Sequence, residues 1–510
     1  MIAMCLACHQ KIVFDGCLFS NWKRQGDTNR FVRRTIAIAV LLLESMTMMS
    51  SHAATITVTN TNDSGPGSLR QALAVAHDGD RITFAVSGTI TLTSGALGVV
   101  KNVTISGPGA DQLSIVGTQF QSVFFAGVKA ATISGLTIRD GAVGIDNGGM
   151  LTVMNCVISG NSVGGIHNVS SLTVVNSNVS DNFFGIYNIT GELGVVTATI
   201  LSTTVSGNSA GGVVAAPHFF GGRAYITIID CTISGNFSTT GGGGIFATNT
   251  SLSLANSTIS GNSTGSSGGG ISVSGSGLVP GSSIVNSTIS GNSAKTSGGG
   301  ISGGATIENS TISGNSAGMR GGGIYGSATV ENSTISGNSA GASGGGIYNN
   351  SSLDVTLSTI TGNSAPSGGG IYNVGSVEVS NTILNAGPSG ENIFNDGGTV
   401  TSVGYNLSSD DAGGYLTSPG DQINTDPLLG PLQNNGGSTF THALLAGSPA
   451  TDAGDPSFRP PPLNDQRGCP FDRVFNGRID IGSFETQPPR RPCATPRPRP
   501  SPRPRPTPSQ

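Results

Sequence analysis

Residues 286–308 read NSTISGNSAKTSGGGISGGATIE and residues 309–331 read NSTISGNSAGMRGGGIYGSATVE, two tandem units with the same punctuation. Outward from this pair, the branched residue of the Ile/Val-Ser-Gly-Asn fragment or a close variant recurs at Ile158, Val179, Val205, Ile233, Ile259, Ile289, Ile312, Ile335 and Ile360, at spacings of 21 to 30 residues. A second anchor, Gly followed by Ile or Val, recurs at Ile166, Ile186, Val213, Ile245, Ile271, Ile301, Ile324, Ile347 and Ile371. A third apolar pair precedes the next unit, for example Leu172 and Val174, or Leu353 and Val355. Each period thus holds three short alternating segments separated by Gly and Asn.

Short segments rich in Ile, Val, Thr and Ser favour strands, and Gly supplies the positive φ angles of sharp corners. No ten-residue segment of the repeats shows helical periodicity. Stacking one period on the next pairs equivalent strands in parallel and sets Ile on Ile in a narrow core. The sequence therefore predicts an all-β fold, a right-handed parallel β-helix of three sheets. Irregular coils of this length fit that type better than the regular left-handed hexapeptide type. The Asn that follows the corner Gly, at Asn161, Asn208, Asn236, Asn262, Asn292, Asn315, Asn338 and Asn363, is expected to form a structural ladder. Its amide can donate to the coil on one side and accept from the other.

Composition agrees with a repetitive fold. The chain has 510 residues, 79 of them Gly, and 10% charged residues against roughly 25% in ordinary soluble domains. At 36% apolar it is too hydrophobic for a disordered polymer. The net charge of −4 conceals a body, residues 54–489, with 12 Lys/Arg against 25 Asp/Glu, and a tail with six Arg and no acid. Such a body lacks the dense basic face that phosphate binding requires, so no nucleic-acid partner is expected.

Residues 1–53 read as a leader and signal peptide. Arg30, Arg33 and Arg34 precede the apolar run Ile36–Leu43, and Ser51-His52-Ala53 offers small residues for cleavage. The run is shorter than the ~20 residues of a membrane span, so no transmembrane segment remains after processing. Cys5-Leu6-Ala7-Cys8-His9 matches a haem-attachment pattern, yet it precedes the export segment and would be removed with it. No cofactor is expected. Cys156 and Cys231 occupy equivalent positions three repeats apart, ~14 Å at the spacing of stacked strands. That exceeds disulfide reach and marks them as buried small hydrophobes. Cys469 and Cys493 could pair or stay apart.

Both ends of a strand stack need covering. Residues 54–130 are expected to form an N-terminal cap and the first coils, with a helix over 68–77 opened by the capping box Ser68-Leu-Arg-Gln71. Strands follow at 81–86, 89–93, 102–106 and 113–116, and residues 131–384 are the repeats. Residues 385–486, rich in Pro, Asp and Asn, are expected to form an irregular C-terminal cap. Asp452-Ala-Gly-Asp455, Asp465-Gln-Arg-Gly468 and Asp480-Ile-Gly-Ser-Phe-Glu485 lie there. No EF-hand or calcium-binding nonapeptide repeat is present, so Asx turns and Asp–Arg pairs are expected rather than a metal. Residues 487–510 alternate Pro with Arg, Ser and Thr and are expected to be a disordered, extended tail. It serves either as a solvated linker or as a contact to anionic envelope polymers.

The Ser68-Leu-Arg-Gln-Ala-Leu73 and Gly79-Asp-Arg-Ile-Thr-Phe84 segments, the Thr104-Ile-Ser-Gly-Pro-Gly109 turn, the repeats and the three acidic endings resemble bacterial choice-of-anchor Q proteins over about residues 55–486. The repeats are also similar to those of chlamydial polymorphic outer-membrane proteins. The resemblance implies a pectin-lyase-like β-helix exported to the outer cell surface, and it carries over no catalytic residue. Pro66-Gly67 stands where related chains often have Cys, so a disulfide at that cap is missing.

The function expected from the sequence is a secreted or cell-surface structural and adhesive role, with cell-surface glycans as partner and a monomeric state. The alternative is a polysaccharide lyase or glycoside hydrolase. Between residues 150 and 380 the Lys/Arg are only Arg223, Lys295 and Arg320, few for a lyase base. Glu308 and Glu331 occupy equivalent places in adjacent coils, a separation compatible with a retaining glycosidase, and duplication of the flanking repeat also explains them. Tyr325, Tyr348 and Tyr372 each follow an inward Ile, so alternation points them outward, where they can bind sugar or brace the strands. The least repetitive stretch, holding His218, Phe219, Phe220, Arg223 and Tyr225 near Asp230, is a second binding candidate. No residue is put forward as catalytic.

Overall fold

The computed structural model describes residues 53–127, 129–189, 194–216, 222–275 and 281–488. Residues 1–52 of the leader and signal peptide, His218, Phe219, Phe220, Cys493 and the tail from residue 489 lie outside these residues. Three long parallel sheets run side by side, here sheets A, B and C, with 15, 14 and 13 strands. One coil takes one strand from each, for example Thr288–Ser290 in B, Ile301–Ser302 in C and Ala305–Glu308 in A. The fold is a right-handed parallel β-helix.

Register holds because the same apolar residue recurs at the same place in each turn. Ile289 pairs with Ile259 and Ile312 in sheet B, Ile301 with Ile271 and Ile324 in sheet C, and Ile307 with Ile284 and Val330 in sheet A. All nine are 0% exposed, and each fully buried aliphatic side chain stabilises by roughly 1.5–3 kcal/mol. A one-residue slip in any strand would turn this row to solvent.

Two corner devices precede the sheet-B strands of the repeats. The Asn before it, such as Asn286, Asn309 and Asn332, takes φ of +49°, +51° and +51°, a left-handed conformation that Asn tolerates better than most residues. The next residue joins a hydroxyl ladder: Ser310 Oγ accepts the Ser287 N–H at 3.1 Å and donates to the Glu308 carbonyl at 2.7 Å. Cys156 and Cys231 stand in this same ladder. The Cys231 N–H donates to Ser257 Oγ at 3.0 Å, and Cys231 Sγ takes the Thr203 N–H at 3.5 Å. Both thiols are buried and free, and burial pushes each up to about 11.

The winding extends on both sides of the repeat motif, from Thr55–Val58, which pairs with Arg81–Phe84, to Leu407–Ser408. The capping helix spans Leu69–Val75, shorter than the sequence predicts, with Leu69, Ala72 and Leu73 buried. Its Ser68 hydroxyl accepts the Gln71 N–H, while Gln71 Oε1 reaches past Ser68 to the Gly67 N–H.

The C-terminal region caps the stack only in part. Ala412 and Leu416 join the core, with Tyr415 packed against it, but the chain then forms an antiparallel pair, Leu429–Gln433 with Thr441–Leu444, and returns along the outer face of sheet B. Thr311, Thr334 and Thr359, which would face solvent on a bare helix, are at most 1% exposed beneath this arm. Fully buried Gln466 locks it, accepting from the Thr334 hydroxyl at 2.6 Å and donating to Thr311 Oγ1 at 2.9 Å. The arm holds its own charges: Arg467 pairs with Asp465 at 2.6 Å and lies between the rings of Phe471 and Phe484, 3.7 and 3.8 Å from their centroids. Side-cladding was not legible because a polar segment rich in Pro and Asn carries no periodic mark of what it packs against.

Candidate functional site

Sheet C gathers the aromatic candidates. Its anchor Ile points inward, and the residue after it stands on the outer face one coil spacing, ~4.8 Å, from its equivalents. That outer row begins with Phe125, Asp146, His167 and Tyr187, continues through Val214, Phe246, Ser272 and Ser302, and ends in Tyr325, Tyr348, Tyr372 and Phe394, each in register with the next.

The last four rings stack. Centroids lie 5.3, 5.0 and 5.1 Å apart with interplanar angles of 21°, 7° and 22°, within the favourable range for offset pairs. Phe394 is a member that the sequence reading missed, because the Tyr of its predecessors is replaced and the repeat is fading there. Within the stack Tyr348 is only 7% exposed, its faces covered by its neighbours. What the ladder offers solvent is ring edge and hydroxyl, together with polar groups beside them. The Arg320 guanidinium lies over the Tyr348 ring at 5.1 Å, and the Tyr372 hydroxyl donates to Asp396 at 2.7 Å. That bond, which holds the phenolic proton, pushes Tyr372 up to about 12. Such a strip can hydrogen-bond sugar hydroxyls and place a cation against an acidic group.

Other candidates are not brought to this strip. Arg223 and Tyr225 lie on the sheet-A strand Arg223–Ile229, paired with Val195 and Thr197, and Asp230 is the left-handed corner after it, at φ +56°. The Asn ladder lies inside the corner between sheets B and C. Asn292 Oδ1 accepts both the backbone N–H and the side-chain amide of Asn262 at 3.0 Å, and its own amide donates to the Ile259 carbonyl and to Asn315 Oδ1 at 2.9 Å. Asn182 belongs to the same run, between Asn161 and Asn208. It is easily missed because Asp181 replaces the corner Gly, taking φ +57° itself. A second set of Asn ladders, Asn147 to Asn188 and Asn349 to Asn395, lines the far end of sheet C. These groups are bonded chiefly to one another, although the amide nitrogen of Asn188, at the end of its run, has no partner among the described residues.

Carboxylates gather on sheet A. Glu308 and Glu331 are in register in adjacent coils, and Asp354 with Glu378 occupies the same face two residues earlier along the next strands. Burial, then the nearby Glu308 and Asp354 charges, push Glu331 up to about 7. Burial and Glu378 raise Asp354 as well. A proton held near neutrality beside a second carboxyl is the arrangement of a general acid.

Among the described residues, one group has the geometry for a metal: Asp452, Asp480 and Glu485, whose ligand oxygens lie within 4.8 Å of one another. Its chemistry argues against an ion. Both carboxylate oxygens of Glu485 already accept backbone N–H groups, from Phe475 and Asp480. The cation of fully buried Arg473 acts on Asp480 and Glu485, partly opposing the burial that raises both and takes Glu485 to about 8. Arg473 supplies the positive charge that a metal would bring.

Residues 219–402 match the family described as a right-handed β-helix region. No curated protein matches the sequence. The chain is similar in structure to the pectate lyase Pel9A, at 12% identity and TM-score 0.34, over 86% of this chain and 98% of that one. It is similar also to tailspike protein 3 of bacteriophage CBA120, at 11% identity and TM-score 0.33, over 70% and 56%. A third similar structure is the catalytic unit of the GH87 α-1,3-glucanase of Streptomyces thermodiastaticus strain HF3-3, at 16% identity and TM-score 0.30, over 72% and 71%. These likenesses concern the fold. No described helix is long and apolar enough to cross a membrane.

Proposed function

We propose that this chain is an exported, cell-surface β-helical scaffold of the choice-of-anchor Q kind whose outer row on sheet C binds surface glycans. The observation that carries the reading is the strip Tyr325–Tyr348–Tyr372–Phe394 with Arg320 and Asp396 at its edges. Cross-strand stacking alone accounts for rings that brace strands. It does not account for a guanidinium and a carboxylate set beside them on a chain with so few charges. Export rests on the Arg-flanked apolar leader, and the Pro/Arg tail is suited to anionic envelope polymers outside the cell.

A second reading, a glycoside hydrolase, is favoured by one feature, the Glu308–Glu331 pair on sheet A, one coil spacing or ~5 Å apart with Glu331 pushed up to about 7 by burial and its acidic neighbours. One experiment separates the two. The purified mature chain is incubated with a panel of neutral glycans and polyuronates, scoring both retention and new reducing or unsaturated ends. Retention without product, reduced by Tyr325→Ala, Tyr348→Ala and Tyr372→Ala together, supports the scaffold. Reducing ends lost with Glu331→Gln establish the hydrolase. Retention unaltered by the triple variant, with only a lower melting temperature, removes the ladder as the binding strip.

A further inference from the structure

We infer that the opposite stretch of the sheet-C row carries a second carbohydrate subsite, built from Asp146, His167, Tyr187, Phe184 and Phe183, and that it takes neutral sugar chains. The inference rests on the reading of sheet C as the glycan-binding face. Asp146 and His167 are in register on adjacent strands, Val143–Asn147 and Gly164–Asn168, and His167 Nδ1 meets Asp146 Oδ1 at 2.9 Å. Both side chains are about one-third exposed, at 33% and 31%. One coil further, the Tyr187 ring stacks on His167 at 5.7 Å and 24°, and Phe184 of the same strand stacks on Tyr187 at 4.8 Å and 11°. Phe183 completes the group edge-on at 4.9 Å and 78°, and is 46% exposed.

Four rings in unbroken contact across two coils are out of character on a surface made of Ser, Thr and Gly, and their polar end is what assigns the occupant. With Asp146 as acceptor, His167 Nδ1 carries the shared proton, so the other ring nitrogen and the second carboxylate oxygen are the groups that can turn to a ligand. Sugar hydroxyls supply the matching donors, and the apolar C–H face of a pyranose matches the rings. Charge selects among sugars. The Asp146 carboxylate repels an acidic residue, whereas the Tyr ladder sets a cation, Arg320, over Tyr348 with Asp396 held by the Tyr372 hydroxyl two coils from it in the row, so the two ends of the row are built for different chains.

The test uses the full mature chain and titration calorimetry with cellohexaose and N-acetylchitohexaose as neutral probes and hexagalacturonate as the acidic one. The variants are Phe184→Ala and His167→Gln, both at partly exposed positions, with circular dichroism to confirm folding, and Arg320→Ala at the other end. Each patch variant is expected to weaken at least one neutral probe by about tenfold, the scale of one lost stacking or hydrogen-bonding group, with hexagalacturonate unchanged. Arg320→Ala should do the reverse. Neutral binding that survives both patch variants but falls in the triple Tyr variant would overturn the subsite and leave sheet C standing. Binding of any probe that no sheet-C variant alters would overturn both.

Discussion

Removing one rung of the Asn ladder in mid-stack puts the structural account at risk. In Asn292→Ala, the Asn262 N–H loses its acceptor, the Asn262 amide loses one of two bonds, and the Ile259 carbonyl and Asn315 Oδ1 each lose a donor. All the residues involved are at most 1% exposed, so water does not readily replace what is lost. A buried unsatisfied polar group costs roughly 1–3 kcal/mol. With two donors impaired, and the two acceptors retaining other lone pairs, the expected destabilisation is about 3–5 kcal/mol. The assay is urea unfolding of wild type, Asn292→Ala and the outward control Ser290→Ala, followed by far-UV circular dichroism and compared at equal denaturant slope. Ser290→Ala should move stability by less than ~0.5 kcal/mol, as surface changes usually do. A loss below ~1 kcal/mol for Asn292→Ala would refute the claim that these amides are obligatory partners of one another.

Three further outcomes follow from the same geometry. Glu331 in the folded chain is raised from its ordinary 4.5 to about 7, so the favourable protonated state is fully present below pH ~4.5 and lost as pH rises through 7; at about 1.4 kcal/mol per unit this removes up to ~3.5 kcal/mol. Glu331→Gln should therefore be more stable than wild type at pH 8 and no different near pH 4, and equal unfolding midpoints at both pH values would contradict this. Cys231→Ser should be tolerated within ~1 kcal/mol because its ladder neighbours are Thr203 and Ser257, whereas Cys231→Val, which orphans the Thr203 N–H, should cost roughly 1–3 kcal/mol. Gln466→Ala should speed hydrogen exchange across residues 439–485 while the coils keep their protection; unchanged exchange would mean that the arm is held elsewhere.

The coils were legible because their physics is local and repeated. An Ile every 21 to 30 residues, the Gly that follows it and the Asn after that each state one requirement of a stacked turn, and repetition multiplies the signal. Legibility fell wherever the motif was replaced by a residue doing the same work. Asp181 takes the left-handed corner of a Gly and hides Asn182, Phe394 continues a column of Tyr, and Cys231 sits where the pattern has Ser or Thr. The Asp465–Arg467 pair of the arm was legible, but its docking was not, since Gln466, Thr439 and His442 acquire their partners only when residues more than a hundred positions earlier arrive in space. The aromatic strip was half readable. Alternation gives its direction, but the mutual covering that buries Tyr348 depends on ring-to-ring distance, which no sequence pattern states. Asp146 and His167 escaped notice because they lie in separate coils and neither carries a motif of its own.

The most direct measurement of the central claim is a crystal structure of the mature chain soaked with oligosaccharides, neutral and acidic in separate crystals. The account predicts sugar density along the outer face of sheet C, the acidic chain over the strip from Tyr325 to Phe394 beside Arg320 and the neutral chain against Phe184, Tyr187 and His167. Sugar bound across Glu308 and Glu331 on sheet A with sheet C bare would contradict it.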